Sequence, residues 1–295
     1  MPNARLQLHS PISKNSLHTL ALTALALVAF AGNSILCRLA LGHNTIDPAS
    51  FSTIRVVSGA VTLTIIACFS GSKTACKEGS WTSALALFLY AIPFSFAYTT
   101  LATGTGALIL FGSVQATMIT SALISGTRPH PWQWSGLGIA ITGLIYLMLP
   151  GLTAPPLGAA ALMALAGLSW GIYTLQGRGT KNPLAQTAGN FLRTLPMTLI
   201  ASILAWPIIH LSPQGIILAI TSGALASGCG YAIWYSALKN LTTIRAAVAQ
   251  LLVPILAAVG GLLFLEETLT IRLLISTGII LGGVFLASLA SERAK

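Results

Sequence analysis

From Gly79 to Thr127 the chain carries no Asp, Glu, Lys or Arg. The rest of the sequence is of a piece with that run: 55% of residues are hydrophobic and only 7% charged, against about 25% charged in a typical soluble domain. Mean hydropathy is +0.83. No common soluble fold of 295 residues hides that much apolar surface, so the chain reads as an integral membrane protein whose first partner is the lipid bilayer. The net charge of +10 comes from 15 basic and 5 acidic residues that sit thinly between apolar runs. They read as topology markers rather than as a nucleic-acid-binding face, and no nucleic-acid partner is expected.

A helix crossing the roughly 30 Å hydrocarbon layer needs about 20 apolar residues. Ten such segments are expected, near 17–41, 48–70, 81–101, 105–125, 132–149, 156–175, 185–207, 214–237, 243–264 and 271–290. The breaks between them, HNTIDPAS, GSKTACKEG, GTRPHP, PGLTAPP, GRGTKNP, HLSPQG and LEETLT, are turn chemistry. The uncharged run is the hard case, since residues 81–125 as one helix would be about 67 Å long. It has to turn back. ATGTG offers the hairpin, because Gly104 and Gly106 permit a tight reversal. Leu17 to Leu41 is long enough to span, so it reads as a retained first helix rather than a cleaved signal.

If the N-terminus is cytoplasmic, even-numbered crossings return to the cytoplasm. Arg5, Lys14, Lys73, Lys77, Arg128, Arg178, Lys181, Lys239, Arg293 and Lys295 then lie inside, and Asp47, His210, Glu266 and Glu267 lie outside. This bias places both termini in the cytoplasm. Residues 1–16 form a cytoplasmic N-terminal segment and 291–295 a cytoplasmic tail.

The run TGTGALILFG begins like a nucleotide loop, yet it lacks the third glycine, follows an apolar helix and has no acid within about 20 positions. No P-loop, H-E-x-x-H or G-x-S-x-G is present, and Asp47, Glu78, Glu266, Glu267 and Glu292 all lie in loops or at segment ends. Neither an enzyme nor a cofactor is expected. Cys37, Cys68, Cys76 and Cys229 show no paired spacing and no accompanying cluster of ligands, so no metal is expected either.

The two halves repeat weakly. FSTIRVVSGAVTLTIIA in segment two matches GNFLRTLPMTLIASILA in segment seven, aligning Arg55 with Arg193. SGLGIAITGLIYL in segment five matches ISTGIILGGVFLA in segment ten, aligning Gly138 and Gly143 with Gly278 and Gly283. A unit of five crossings, being odd, reverses orientation in its second copy. The expected fold is therefore an all-α integral membrane protein of ten transmembrane helices in two inverted five-helix repeats, 17–149 and 156–290. That is the common architecture of secondary transporters.

Several residues stand out from this background. In ALILFGSVQATMITSAL, Gly112 and Ser113 read as packing between membrane helices. Gln115 differs, because a buried amide costs energy without partners. Gln250 lies near the matching place in segment nine, so the two amides either face one cavity or bond between helices. Tyr90, Phe94 and Tyr98 form an i, i+4, i+8 stripe, and Trp170 and Tyr173, with Tyr231, Trp234 and Tyr235, add rings in segments six and eight. These rings suit either a pocket for ring-bearing or amphipathic solutes or plain core packing. Arg55 and Arg193, each about eight residues into its segment, could serve structure and gating through helix-end carbonyls, or draw a carboxylate. Pro93, Pro196 and Pro254 interrupt helix interiors and offer joints.

Three runs then carry a family resemblance: AGNSILCRLAL with Asn33 and Arg38, FSTIRVVSGA with Arg55, and VAQLLVPILAAVGGLLFLEETLT with Gln250, Pro254 and the Glu266–Glu267 pair. Through them the chain resembles the drug/metabolite transporter superfamily, specifically its EamA-type two-repeat members, over nearly its whole length. The first half departs from the pattern, since GTRP stands where EETL would be and the proline is missing. The resemblance implies a bacterial inner-membrane carrier that works by alternating access and exports or exchanges amino acids, drugs or other metabolites as a single chain. The ALILFGSVQATMI run is similar to the YddG-type aromatic amino-acid exporters. Substrate-binding candidates near the midplane are Asn33, Tyr90, Phe94, Tyr98, Gln115, Trp170, Tyr173, Trp234 and Gln250. Arg38, Arg55, Arg193, Pro93, Pro196 and Pro254 are gating or structural candidates. With no ATPase motif a gradient is the expected driving force, and with no embedded acid a simple carboxylate proton relay is disfavoured, leaving facilitated diffusion or exchange open. The alternatives are a drug or other metabolite carrier of the same fold, or a non-transporting membrane scaffold or receptor subunit.

Overall fold

The turns of this chain are built from a polar cap followed by proline. Asp47, Asn182 and Ser212 accept from the backbone N–H of Ser50, Ala185 and Gly215 at 2.9, 3.2 and 3.1 Å, and each is followed by a proline at the first helical position. The cap satisfies one orphan donor and the proline has none to lose. The computed structural model describes residues 14–71, 77–124, 131–149, 154–177, 180–241, 246 and 249–292. Most of the N-terminal segment, residues 293–295 of the tail, and Lys73, Cys76, Arg128 and Arg178 lie outside them.

Among the described residues the chain forms ten long helices. They are α1 (Lys14–Gly42), α2 (Pro48–Phe69), α3 (Trp81–Ala97), α4 (Thr103–Ile124), α5 (Pro131–Met148), α6 (Leu157–Gln176), α7 (Pro183–Leu204), α8 (Pro213–Leu238), α9 (Leu252–Leu265) and α10 (Ile271–Glu292). A 3₁₀ turn at Trp206–Ile208 follows α7. Four stretches, Leu17–Gly42, Pro48–Phe69, Leu157–Gln176 and Pro213–Leu238, are long and apolar enough to cross a membrane on length and composition alone. Trp81–Ala97, Trp134–Met148, Leu252–Leu265 and Ile271–Ala287 are shorter apolar helices. Large apolar side chains such as Val61, Ile65, Ile145, Ile200, Leu263 and Phe264 point outward, as lipid-facing positions do.

The halves run in opposite senses. The C-terminal end of α1 meets the C-terminal end of α3, since Arg38 Nη1 donates to the Tyr98 carbonyl at 3.1 Å. The C-terminal end of α6 instead meets the N-terminal end of α3, where Ser83 Oγ donates to Gln176 Oε1 at 2.8 Å. Packing obeys the same inversion: α3 lies on α6 as α8 lies on α1, and α4 lies on α6 as α9 lies on α1. The pairs α2–α7, α4–α9 and α5–α10 each join an element to its counterpart. In α5–α10 a Cβ on Gly136 would lie 2.5 Å from the Gly283 carbonyl, and one on Gly283 would lie 2.5 Å from the Gly136 carbonyl. Small residues there let the two backbones touch.

The hairpin expected at Gly104 and Gly106 is displaced. α3 ends at Ala97, the reversal runs over 98–102, and both glycines lie inside the first turns of α4. Their role is close approach. A Cβ on Gly104 would sit 2.7 Å from that of Ala258 on α9, and one on Gly106 would sit 2.5 Å from the Tyr98 ring. The segment expected as one helix over 243–264 is also interrupted, with a turn at Leu251 ahead of α9.

Candidate functional site

Two irregular helix stretches meet the rings at the centre of the molecule. Ser222–Cys229 of α8 is a π-helical stretch in a segment rich in glycine and small residues. Such a stretch is commonly found at functional sites. On the opposite side, Pro254 has no N–H to give the Gln250 carbonyl, and the chain turns at Leu251. Between these stretches lies a narrow cavity of about 30 Å³. That is room for a water or two. α1 contributes Phe30, Asn33 and Ser34, α3 contributes Tyr90 and Phe94, and α4 contributes Leu110 and Phe111. Trp170 of α6, Ala226, Ser227 and Tyr231 of α8, and Gln250 complete it.

The rings form one continuous wall. Trp170 stacks on Tyr231 at 5.3 Å between centroids and on Tyr173 at 5.4 Å, and it meets Tyr90 at 4.9 Å. Tyr90 meets Phe94 at 5.3 Å, which meets Tyr98 edge-on at 4.8 Å. Asn33 is the polar node of this wall. Its Nδ2 donates to the Tyr90 hydroxyl at 3.2 Å, and its Oδ1 accepts from Ser222 Oγ at 2.6 Å, so one amide ties α1 to α3 and α8. Arg55 of α2 lies behind the rings. It is 3% exposed, and its guanidinium carbon sits 5.2 Å from the Tyr90 centroid and 5.0 Å from that of Phe94.

Where α1, α3, α4 and α9 end together lies a charged cluster. Glu266 takes φ 54° and closes α9 in the left-handed region, turning Glu267 back toward α4. Glu267 accepts from the Thr103 backbone N–H through Oε2 at 2.8 Å and Oε1 at 3.1 Å, and it pairs with Arg38 Nε at 3.2 Å. Arg38 also donates to the carbonyls of Tyr98 and Thr99 at 3.1 and 2.9 Å. Four helix ends, those of α1, α3, α4 and α9, thus meet on one ion pair. The carboxylate sits where the α4 dipole and unpaired N–H groups favour an anion. At the same end the loop before α2 joins the loop before α8, where the Asp47 N–H donates to the His210 carbonyl at 2.9 Å. At the opposite end Arg193 donates to the carbonyls of Glu78, Lys77 and Gly189, stitching the middle of α7 to the segment before α3.

Of the residues singled out in the sequence, Asn33, Tyr90, Phe94, Trp170 and Gln250 line the central cavity. Tyr98, Tyr173 and Trp234 stand in the ring network behind it: the Tyr98 hydroxyl donates to the Thr103 carbonyl, and Tyr173 accepts from Asn190. Gln115 does not share a cavity with Gln250. α6 packs along α4 through Gly167 against Leu110 and Ser113, and the face of α4 bearing Gln115 looks onto α5 and α10. There it lines a second, mostly apolar cavity of about 250 Å³ with its Nε2 buried and unpartnered. Pro93 and Pro196 lie inside α3 and α7. Sequence reasoning did not single out Phe30, Ser34, Phe111 or Ser227. The i, i+3, i+4 spacing of Phe30, Asn33 and Ser34 was the available signal. Among the described residues no group of three or more His, Cys, Asp or Glu could hold a metal.

Comparison with known proteins agrees with this geometry. The EamA-like transporter family matches residues 18–149 and again 157–289. The uncharacterized protein PA1977 of Pseudomonas aeruginosa is 49% identical over 268 residues, covering 91% of this chain and 93% of its own. The threonine/homoserine exporter RhtA of Escherichia coli K12 is 32% identical over 181 residues, 58% of this chain and 57% of that one. A solved crystal structure at 16% identity superposes with a TM-score of 0.65, covering 92% of this chain and 97% of that chain, which bears on the fold alone.

Proposed function

Because this chain belongs to the EamA-like transporter family, we propose that it exports amino acids, aromatic ones among them, across a bacterial inner membrane by alternating access. The observation that carries the reading is the central cavity, where rings and amides from both halves converge at irregular helix stretches. Helix breaks at the interface of inverted repeats are where carriers place their substrates. A ring-lined wall with amide and hydroxyl donors suits a solute having one polar end and one apolar end. RhtA, named as a threonine/homoserine exporter, supports amino acids as the class. The aromatic preference rests on Trp170, Tyr231, Tyr90 and Phe94.

The orientation follows the charges. Lys77, Lys181 and Lys239 belong to the Arg193 end, and Asp47 and Glu266 to the Arg38 end, so the Arg193 end and both termini face the cytoplasm. One chain holds the whole cavity, and a monomer suffices. Counterflow in proteoliposomes is the test, with internal unlabelled solute driving uptake of labelled phenylalanine, threonine or a cationic drug. Stimulated uptake of an amino acid is expected. Exchange of the drug alone would reassign the carrier to drugs, and no exchange of any solute would overturn the reading.

A further inference from the structure

We propose that Arg55 is the anion-binding element of the central cavity, the guanidinium that receives the carboxylate of a solute seated there. The inference rests on the carrier reading and names the chemistry of its site. Arginine stays protonated at any accessible pH, so a buried one is expected to have an acid or a full set of acceptors. Arg55 has neither. It is 3% exposed, and its Nη1 is buried with no hydrogen-bond partner. Arg38, by contrast, has Glu267 as its counter-charge. Arg193, the position that the repeat matches to Arg55, is occupied by three carbonyls. The family of contacts that explains Arg38 and Arg193 as structural leaves Arg55 out.

What Arg55 does touch points to the cavity. Its charge rests on the rings of Tyr90 and Phe94, both of which line that space. A cation over ring faces is partly compensated and is free to exchange them for a better partner. The Tyr90 hydroxyl lies within reach of the guanidinium and is bonded to Asn33 Nδ2, so the two can supply further donors. Together they suit a single carboxylate, which a guanidinium grips through two parallel bonds. No lysine or arginine lines the cavity, and Arg55 stands directly behind its Tyr90 and Phe94 wall, so the site is matched to one negative charge rather than to a phosphate dianion. A solute carboxylate on Arg55 would leave its remaining body against Trp170 and Tyr231.

The test is binding to the full chain in lipid nanodiscs, read by intrinsic tryptophan fluorescence. The ligand pairs are phenylalanine against phenylalaninamide and threonine against threoninamide. The wild type is expected to bind each acid at least tenfold more tightly than its amide. Arg55→Met is expected to erase that ratio, and Arg55→Lys to keep part of it. Without ligand, Arg55→Met is expected to melt no lower than the wild type, because it removes an uncompensated buried charge. A lower melting temperature restored by Arg55→Lys would make the residue structural and overturn the proposal. Equal binding of acid and amide by the wild type, or an undiminished ratio in Arg55→Met, would also overturn it. Competition by chloride or inorganic phosphate as effective as that of the carboxylates would reduce the site to one for small anions and overturn the carboxylate assignment. Counterflow of threonine at the wild-type rate by Arg55→Met would remove the subsite and leave the carrier reading standing. Failure of binding and counterflow together would remove both.

Discussion

At the scale of single residues, Glu267 serves two contacts at once. It neutralises Arg38 and caps α4 with both oxygens. Replacing it by glutamine leaves Arg38 without its counter-charge and weakens the cap. Glu267→Gln is expected to lower stability by about 1–3 kcal/mol, the range for breaking a charged hydrogen-bonded pair that is only partly exposed. Arg38→Met should cost a similar amount. The double variant should cost less than the sum, with a coupling of at least about 0.5 kcal/mol in thermal melts of the purified protein. Strict additivity would mean that the two residues act apart. None of this could be read along the sequence, because Glu267 lies 164 positions from Thr103 and 229 from Arg38. The EETL run marked where a helix ends, and only the fold shows which other ends it reaches.

Among the elements, the contact of α4 with α9 is set by Gly104. Its neighbour Ala258 leaves no room for another methyl group. Gly104→Ala is expected to destabilise the protein by about 1–3 kcal/mol, as overpacking does, and Ala258→Gly in the same chain should recover only part of the loss, because the Ala258 Cα stays 2.9 Å from the new Cβ. Were Gly104 a hairpin residue, Ala258→Gly would restore nothing; melting temperatures of the three variants decide it. The helices themselves were largely legible, since apolar length, polar caps and following prolines are local features. Their rotation was not. Gln115 and Gln250 look equivalent along the repeat, yet α6 packs along α4 through Gly167 and Gly171, and Gln115 looks onto α5 and α10. Glycine carries two meanings, turning and touching, and the sequence cannot separate them without the partner helix. The rings of α3 and α6 were legible because their spacing sets them on one face; Phe30 and Phe111, single rings on otherwise ordinary helices, were not.

For the whole molecule, the proposed alternating access calls for two closures, one at each end of the cavity. A labelling experiment reads which closure is occupied. In a cysteine-free background, Ser227→Cys places a thiol in the cavity, where the native side chain is 6% exposed. A membrane-impermeant maleimide applied from the Arg38 end should label it slowly, and adding Glu267→Gln should speed labelling several-fold. Unchanged labelling would mean that the ion pair does not hold that end shut. The ion pair also has a thermodynamic meaning. Two identical halves related by a two-fold axis would give two states of equal energy, and a carrier resting half in each. This chain is not so balanced, since EETL stands at the end of one half and GTRP at the matching place in the other. Every 1.4 kcal/mol of difference between the two ends weights the populations tenfold. Under the proposed alternating access, the divergence of these four residues would set a resting bias that a passing solute offsets with its own contacts.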